Sequence, residues 1–248
     1  MTPAVTAICR HPVKSLGEEL VGAARLAPGQ PLPWDRIWAV CHGQSTYDAS
    51  GAWDIPRQFV NQTFVPQLAQ ISLRFDEDAG VLYLEHPDAE PLSVDPDREG
   101  EALCHWLLPL GQDARPGPYS MARISEGAFT DFEDTHISIA SEASRRALGE
   151  IAGQPLERVR FRMNIWLDGF APWEELDWVG REITIGDARL KITERDKRCN
   201  ATTASPVTGA RDVQVPAILR KRFGHMDFGV YAQVIEGGEV KTGDPARI

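Results

Sequence analysis

Residues 191–212 read KITERDKRCNATTASPVTGARD. One cysteine, Cys199, stands in this stretch, preceded by Lys191, Arg195, Lys197 and Arg198 and followed by Thr202, Thr203, Ser205, Thr208, Gly209 and Arg211. A thiol among fixed cations is biased toward the thiolate, the form that attacks electrophiles and binds soft metals. Hydroxyls, a glycine and an arginine close behind it suit an anionic ligand such as a phosphate. An exposed basic loop with an incidental cysteine would have the same composition, and spacing alone does not separate the two.

Working outward, residues 181–194 (REITIGDARLKITE) alternate so that Ile183, Ile185, Leu190 and Ile192 share a face across a Gly186-Asp187 turn. That pattern predicts a hairpin delivering the chain to Cys199. Residues 160–168 (RFRMNIWLD) predict a strand with Arg162 and Asn164 on one face and Phe161, Met163 and Ile165 on the other. Residues 136–140 predict another strand. Ser141 then reads as an N-cap to a helix with Ala143, Ala147, Leu148 and Ile151 on its apolar face, stopped by Gly153. After the cysteine loop, residues 215–223 predict a helix with Pro216 in its first turn and Gly224 at its end. Residues 228–235 and 239–241 predict a closing β pair across Gly237-Gly238.

Toward the N-terminus, residues 3–10 read as a strand, followed by a turn that holds Lys14 and Ser15 between Pro12 and Gly17. Residues 20–28 predict a second strand, and residues 35–40 a third, with Arg36 near its start and an edge-strand ion pair to Asp35 as the ordinary role for that arginine. Residues 43–66 are polar and turn-rich and predict a loop. Residues 68–75 and 81–85 predict two strands, and residues 92–94 a short third. Residues 99–110 predict a helix with Ala102, Trp106, Leu107 and Leu110 on its buried face, ending at Pro109. Residues 112–120 are rich in breakers and mark the expected junction between two domains, 1–118 and 119–248. The fold class is α+β and strand-rich, built on a barrel or two packed sheets.

The chain has 248 residues, with 26 basic and 36 acidic side chains and a net charge of −10. That balance argues against nucleic acid or an anionic membrane as the main partner. It also makes the cations beside Cys199 a local departure from an acidic surface. No run of about 18 apolar residues occurs, and the first residues lack a charged region followed by an apolar one. The expectation is a cytoplasmic protein with reduced thiols. Cys9, Cys41, Cys104 and Cys199 form no CxxC pair. A metal site built from Cys41-His42 and Cys104-His105 is disfavoured, because adjacent side chains on a strand face opposite ways.

At the cysteine segment the chain resembles the MOSC family, the domain named from the C-terminal part of molybdenum cofactor sulfurases. The resemblance is carried by Arg198-Cys199-x-Ala201-Thr202, Pro206-x-Thr208-Gly209-x-Arg211-Asp212, Phe228-Gly229-x-Tyr231 and Lys241-x-Gly243-Asp244-Pro245. Upstream, Phe161-Arg162-x-Asn164, Asp177-x-Val179-Gly180 and Ile185-Gly186 match it as well. His11-Pro12-Val13-Lys14-Ser15 and Asp35-Arg36 are similar to the β-barrel that precedes MOSC in one branch, which includes the mitochondrial amidoxime-reducing component. The resemblance implies an N-terminal β-rich domain over 1–118 and a β-barrel MOSC domain over 119–248.

It implies a molybdenum–molybdopterin cofactor, independent of pyridoxal phosphate, with Cys199 as metal ligand. Lys14, Ser15, Arg36, Ser141, Arg162, Asn164 and Arg198 match positions that hold the pterin and its phosphate, and Tyr231 matches a residue of the same pocket. Ser205, where many members carry an acid, and Lys197 are departures. The residue chemistry agrees: an anionic dithiolene pterin needs separated cations, arginine forks suit phosphate, and a thiolate suits a sulfur-rich shell. The implied activity is an oxidoreductase that reduces small N-hydroxylated or N-oxide substrates, with Asp212 and Tyr231 as candidate proton-relay groups. No dinucleotide fingerprint is present, and the chain ends at Ile248 without the iron–sulfur extension of some relatives. A separate electron donor is therefore expected, a flavin reductase, a ferredoxin-type protein or a cytochrome. Two other readings remain: a carrier or storage protein for the cofactor, and a sulfur-transfer protein using a Cys199 persulfide. The geometric expectation is a single cavity lined by the cations, with the sulfur at its floor.

Overall fold

Ile183, Ile185, Leu190 and Ile192 are all fully buried, as the alternation requires. They lie on a hairpin whose two strands pair from Glu182–Lys191 to Ile185–Ala188. The computed structural model describes residues 2–134 and 136–248. In chain order its strands are β1 (Ala4–Arg10), β2 (Glu19–Val21), β3 (Ala23–Leu26), β4 (Trp38–Cys41), β5 (Ser72–Asp76), β6 (Val81–His86) and β7 (Ala89–Val94). Helix α1 (Gly100–Gly111), β8 (Ser120–Arg123), β9 (Ile137–Ser141), α2 (Glu142–Ala152) and β10 (Ile165–Asp168) follow. Then come the hairpin strands β11 (Glu182–Ile185) and β12 (Ala188–Lys197), helix α3 (Val215–Phe223), β13 (Asp227–Glu236), β14 (Gly238–Lys241) and β15 (Ala246–Arg247).

The principal sheet has eight strands in the order β15-β11-β12-β13-β9-β10-β1-β2. Its ends approach each other through an isolated bridge between Ala4 and Pro245 and through Val5 N to Asp244 O and Ala246 N to Pro3 O, both 2.9 Å. The sheet thus curls around one core that runs from Val5 and Ile8 to Ile185, Val234 and Ala246, joined there by a bridge rather than a full ladder. The remaining strands form the pairs β14-β3 and β4-β8 and the three-stranded sheet β5-β6-β7. A second core, from Val13 and Leu16 through Leu84 to Leu107, packs beneath α1. No helix among the described residues is long and apolar enough to cross a membrane.

The boundary at 118 does not separate two sheets. β1 and β2 belong to the eight-stranded sheet, β3 pairs with β14, and β4 pairs with β8. The N-terminal segment supplies strands to the C-terminal sheet and keeps a core of its own. This interleaving sets residues of both segments around one site.

Ser141 caps α2, its Oγ accepting from Ala143 N at 3.2 Å, and Gly153 closes the helix in the left-handed region. The bounds of α3 match the expected ones. Several expectations are corrected. The second predicted strand breaks into β2 and β3 at Gly22. Residues 66–70 form a 3-10 helix begun by Pro66, so the following strand starts only at Ser72. Helix α1 buries Leu103, Cys104, Leu107 and Gly111 and runs two residues past Pro109, whose ring falls in the last turn. β14 pairs with β3 rather than with β13, because β13 is already flanked by β12 and β9.

Two further corrections bear on the site. The predicted strand over 160–168 is a 3-10 turn at Arg158–Arg160 followed by β10, and Arg162 has φ 51°. The third predicted strand begins at Trp38, and Arg36 lies ahead of it with φ 53°. Both arginines occupy the left-handed region, which side chains other than glycine seldom adopt.

Candidate functional site

Where the β1–β2 turn, the loop before β4 and residues 56–64 meet the ends of β9, β12 and β13, they enclose a cavity of about 330 Å³. Its wall includes Lys14, Ser15, Arg36, Arg162, Asn164, Arg198, Cys199 and Tyr231. Seven of its side chains are basic, the four just named with Arg57, Arg160 and Lys197, against the carboxylates of Asp131 and Asp196. Asp35 pairs with Arg36, and Glu157 and Asp212 with Arg160, from behind the wall; the cationic surplus that remains, in a chain of net charge −10, suits an anionic group.

Arg36 is held from behind. Asp35, 1 % exposed, takes one arm of its guanidinium, and Arg36 Nη2 donates to the Arg162 carbonyl at 2.7 Å. This is a buried pair, not the edge-strand contact expected from sequence. Asp35 also accepts from His11 N at 2.7 Å and faces His11 Nδ1 at 3.2 Å. Burial alone would raise the Asp35 carboxyl; the Arg36 charge and the His11 contacts overcome it and hold that group far below the usual range. Arg162 donates to Gly17 O at 2.8 Å. Burial, then repulsion from Arg36, lowers its pKa to about 9. Arg198 pairs with Asp196, which is 2 % exposed. Asp196 lies two residues before Arg198 on the strand leading to the cysteine, so it was readable as a same-face neighbour. Its carboxyl is raised by burial despite Arg198.

Three wall residues each keep one buried side-chain nitrogen with no hydrogen-bond partner among the described residues: Arg162 Nη2, Arg198 Nε and His136 Nδ1. Unpaired buried polar nitrogens are costly and rare in folded proteins, and the two on arginine can only donate. Together with the surplus of cations, they fit a bound group rich in acceptors. The donor set suits a pterin phosphate: forked guanidinium groups, an ammonium and a thiol at one opening.

Cys199 lines the cavity but is exposed, so its sulfur lies at the mouth rather than at the floor. Thr63 Oγ1 stands 3.5 Å from it. Arg211 ties the two sides of that mouth together, donating to Asn200 O at 2.9 Å, Thr203 Oγ1 at 2.7 Å and Thr63 O at 2.6 Å. The hydroxyls read as an anion cradle close the loop on itself. Thr202 donates to Cys199 O and Thr203 to Asn200 O, while Ser205 Oγ accepts from Val207 N and Thr208 N. Lys191 and Arg195 turn away, to the carbonyls of Gly180 and Leu176.

Two expected site residues do not line the cavity. Ser141 is fully buried and caps α2; Ser138, three residues earlier, lines the wall instead. Asp212 grips Arg160 through both oxygens at 2.7 and 2.8 Å, so its carboxylate is already engaged. Asn164 is in the wall, but its amide bridges Ser138 and Cys9 O and so joins β9 to β1. The sequence reading missed His136, whose ring lies 5.2 Å from that of Tyr231, and the loop side chains Asn61, Gln62 and Thr63. Nothing local distinguishes them; only the fold brings them here. The loop over 43–66 therefore builds one wall of the site.

Comparison with known proteins agrees with this architecture. The family model described as MOSC domain matches residues 123–247, and that described as MOSC N-terminal beta barrel domain matches residues 2–108. Mitochondrial amidoxime reducing component 2 of Bos taurus is 31% identical over 121 residues, 44% of this chain and 35% of that protein. Mitochondrial amidoxime-reducing component 1 of Xenopus laevis is 30% identical over 176 residues, 59% of this chain and 50% of that protein. Molybdenum cofactor sulfurase of Drosophila grimshawi is 24% identical over an alignment that spans 100% of this chain and 35% of that protein. The matches thus cover about a third to a half of these relatives' length. With both models matched in order and the cysteine segment at the mouth of the shared cavity, the chain belongs to the MOSC domain family, with the MOSC N-terminal beta barrel domain ahead of it.

Proposed function

We propose that the cavity holds a molybdenum–molybdopterin cofactor, with Cys199 supplying the thiolate ligand. On this reading the chain is an oxidoreductase for small N-hydroxylated or N-oxide substrates, supplied with electrons by a separate redox protein. The observation that carries the reading is the set of unpartnered nitrogens on Arg162, Arg198 and His136 in a wall of basic side chains, with a thiol at the opening. The names of the amidoxime-reducing and sulfurase relatives point the same way.

Bound there, the cofactor would supply the two-electron redox chemistry of the reduction. The chain supplies the rest. Lys14, Arg36, Arg162 and Arg198 would hold the anionic part, Arg36 as a fork fixed by Asp35 and the Arg162 carbonyl, Arg162 as one fixed by the Gly17 carbonyl. Tyr231 keeps its proton, since burial and then the neighbouring Asp196 raise it well above its ordinary value. The contact with the Asp196 carboxylate engages its one O–H proton, so toward a bound ligand Oη offers its lone pairs. Exposure of the Cys199 thiol leaves the ligand position open to a substrate arriving from solvent. Asp212 has no part in proton transfer on this reading, because Arg160 holds both of its oxygens.

The test is metal and pterin analysis of protein made in a host able to synthesise the cofactor, followed by reduction of a hydroxylamine or amidoxime with an artificial reductant. Stoichiometric cofactor and turnover, both abolished by Cys199→Ala, are expected. Bound pterin without turnover would favour a carrier. Folded, metal-free protein with a persulfide mass increment on Cys199 would favour sulfur transfer, a reading that the exposed thiol also accommodates.

A further inference from the structure

Lys14 offers three ammonium protons, and three acceptors take them: Phe129 O at 2.8 Å, Thr130 O at 3.3 Å and Asp131 Oδ1 at 3.0 Å. The lysine side chain is 5 % exposed and that of Asp131 is 54 % exposed. A surface carboxylate thus reaches inward to a buried cation. The Lys14 charge and its hydrogen bond, with smaller contributions from Arg36 and Arg198, hold the Asp131 carboxyl below its usual range. The other carboxylate of the wall, Asp196, is buried and committed to Arg198. Asp131 therefore stands where an anionic ligand of Lys14 would stand.

We propose that Asp131 is a specificity-determining residue: its carboxylate occupies the Lys14 position of the cavity, so that dianionic oxyanions displace it and monocarboxylates do not. This rests on the reading above that the cavity takes an anionic group. The physical argument concerns exchange. Replacing one carboxylate by another at the same ammonium gains nothing and costs the ligand its freedom of motion. A phosphate brings up to two charges and three strong acceptor oxygens, enough to engage Lys14 and the neighbouring guanidinium groups together. Displacement is undemanding for the protein. Asp131 is already half in solvent, and Lys14 keeps the carbonyls of Phe129 and Thr130. Phe129 is fully buried, and the Thr130 carbonyl is fixed by Trp53 Nε1 at 3.1 Å. One ammonium proton then becomes available to the ligand.

The test uses the full chain produced without the pterin cofactor, titrated calorimetrically at fixed ionic strength with inorganic phosphate and with acetate. The wild type should bind phosphate and not acetate. Asp131→Asn and Asp131→Ala should bind phosphate about tenfold more tightly and acquire measurable acetate binding. Lys14→Met in the Asp131→Ala background should remove both gains. Phosphate affinity equal to or weaker than that of a phosphate-binding wild type, in both variants, overturns the proposal and leaves the anion-site reading standing. Absence of phosphate binding in all three proteins overturns both.

Discussion

Arg36 Nη2 donates to the carbonyl oxygen of Arg162 at 2.7 Å, and both residues hold left-handed backbone, with φ of 53° and 51°. Ser15, a third residue of the same wall, has φ 65°. Such conformations cost about 1–3 kcal/mol each outside glycine and persist where the surroundings over-determine them. Here they do: Arg36 N donates to His11 O, and Phe129 N donates to Arg36 O, each at 2.8 Å. One guanidinium thus joins two turns that are far apart in sequence.

Asp35 is the anchor of that arrangement, and its loss should be severe. Asp35→Asn leaves the Arg36 charge without its buried partner, which costs about 3–5 kcal/mol. The folded-state pKa of Asp35 is depressed below its ordinary 3.8. Its contribution is therefore fully present above that value and is lost as pH falls through the depressed one. Urea melts of the two proteins should differ by a constant amount from pH 5 to 8, and the gap should narrow only in stronger acid.

Arg211 should prove structural rather than ligand-binding. Its guanidinium joins the cysteine loop at Asn200 and Thr203 to the opposite wall at Thr63. Arg211→Ala should lower stability by about 1–2 kcal/mol and raise hydrogen exchange across residues 199–211 more than elsewhere. Exchange that rises evenly over the chain would show that the arginine does not hold the mouth.

The parts of the fold legible in the sequence are those set by neighbours along the chain. The Gly186-Asp187 hairpin and helix α3 follow from local periodicity and from their stops. What local pattern could not supply is the left-handed turn at Arg36 or Arg162, because each is fixed by partners from other segments: His11 and Phe129 for one, Gly17 for the other. Reading both arginines as strand residues still grouped them with the other residues that line one cavity, since charge and order along the chain survive a wrong backbone. Ser141 and Ser138 show the opposite failure. Only the pairing of β9 with β10 and β13 decides which serine reaches the wall.

Gly229, in the segment leading to Tyr231, should not tolerate a side chain. Its φ is 77°, and a Cβ there would lie 2.8 Å from Ile139 O and 2.5 Å from the Met163 methyl. The methionine can move, but the carbonyl belongs to the β9 ladder and cannot. Gly229→Ala should cost about 2–4 kcal/mol, the sum of the backbone and overpacking effects, measured as a lower denaturation midpoint at unchanged slope.

Glu175 should make the protein less stable as pH rises toward neutrality. It is fully buried. One oxygen accepts from Ser144 Oγ at 2.8 Å, and the other has no partner among the described residues. Burial pushes the carboxyl from 4.5 up to about 7, with Ser144 opposing and Glu174 adding to the rise. A folded pKa above the unfolded one favours the protonated form, so this contribution is complete below about pH 4.5 and is lost as pH climbs through about 7. Glu175→Gln keeps the shape and the acceptor but cannot ionise. The variant should match or fall slightly below the wild type at pH 4.5 and gain on it by about 3 kcal/mol by pH 8. Parallel pH profiles for the two proteins would mean that Glu175 is already paired in solution and that its burial carries no penalty.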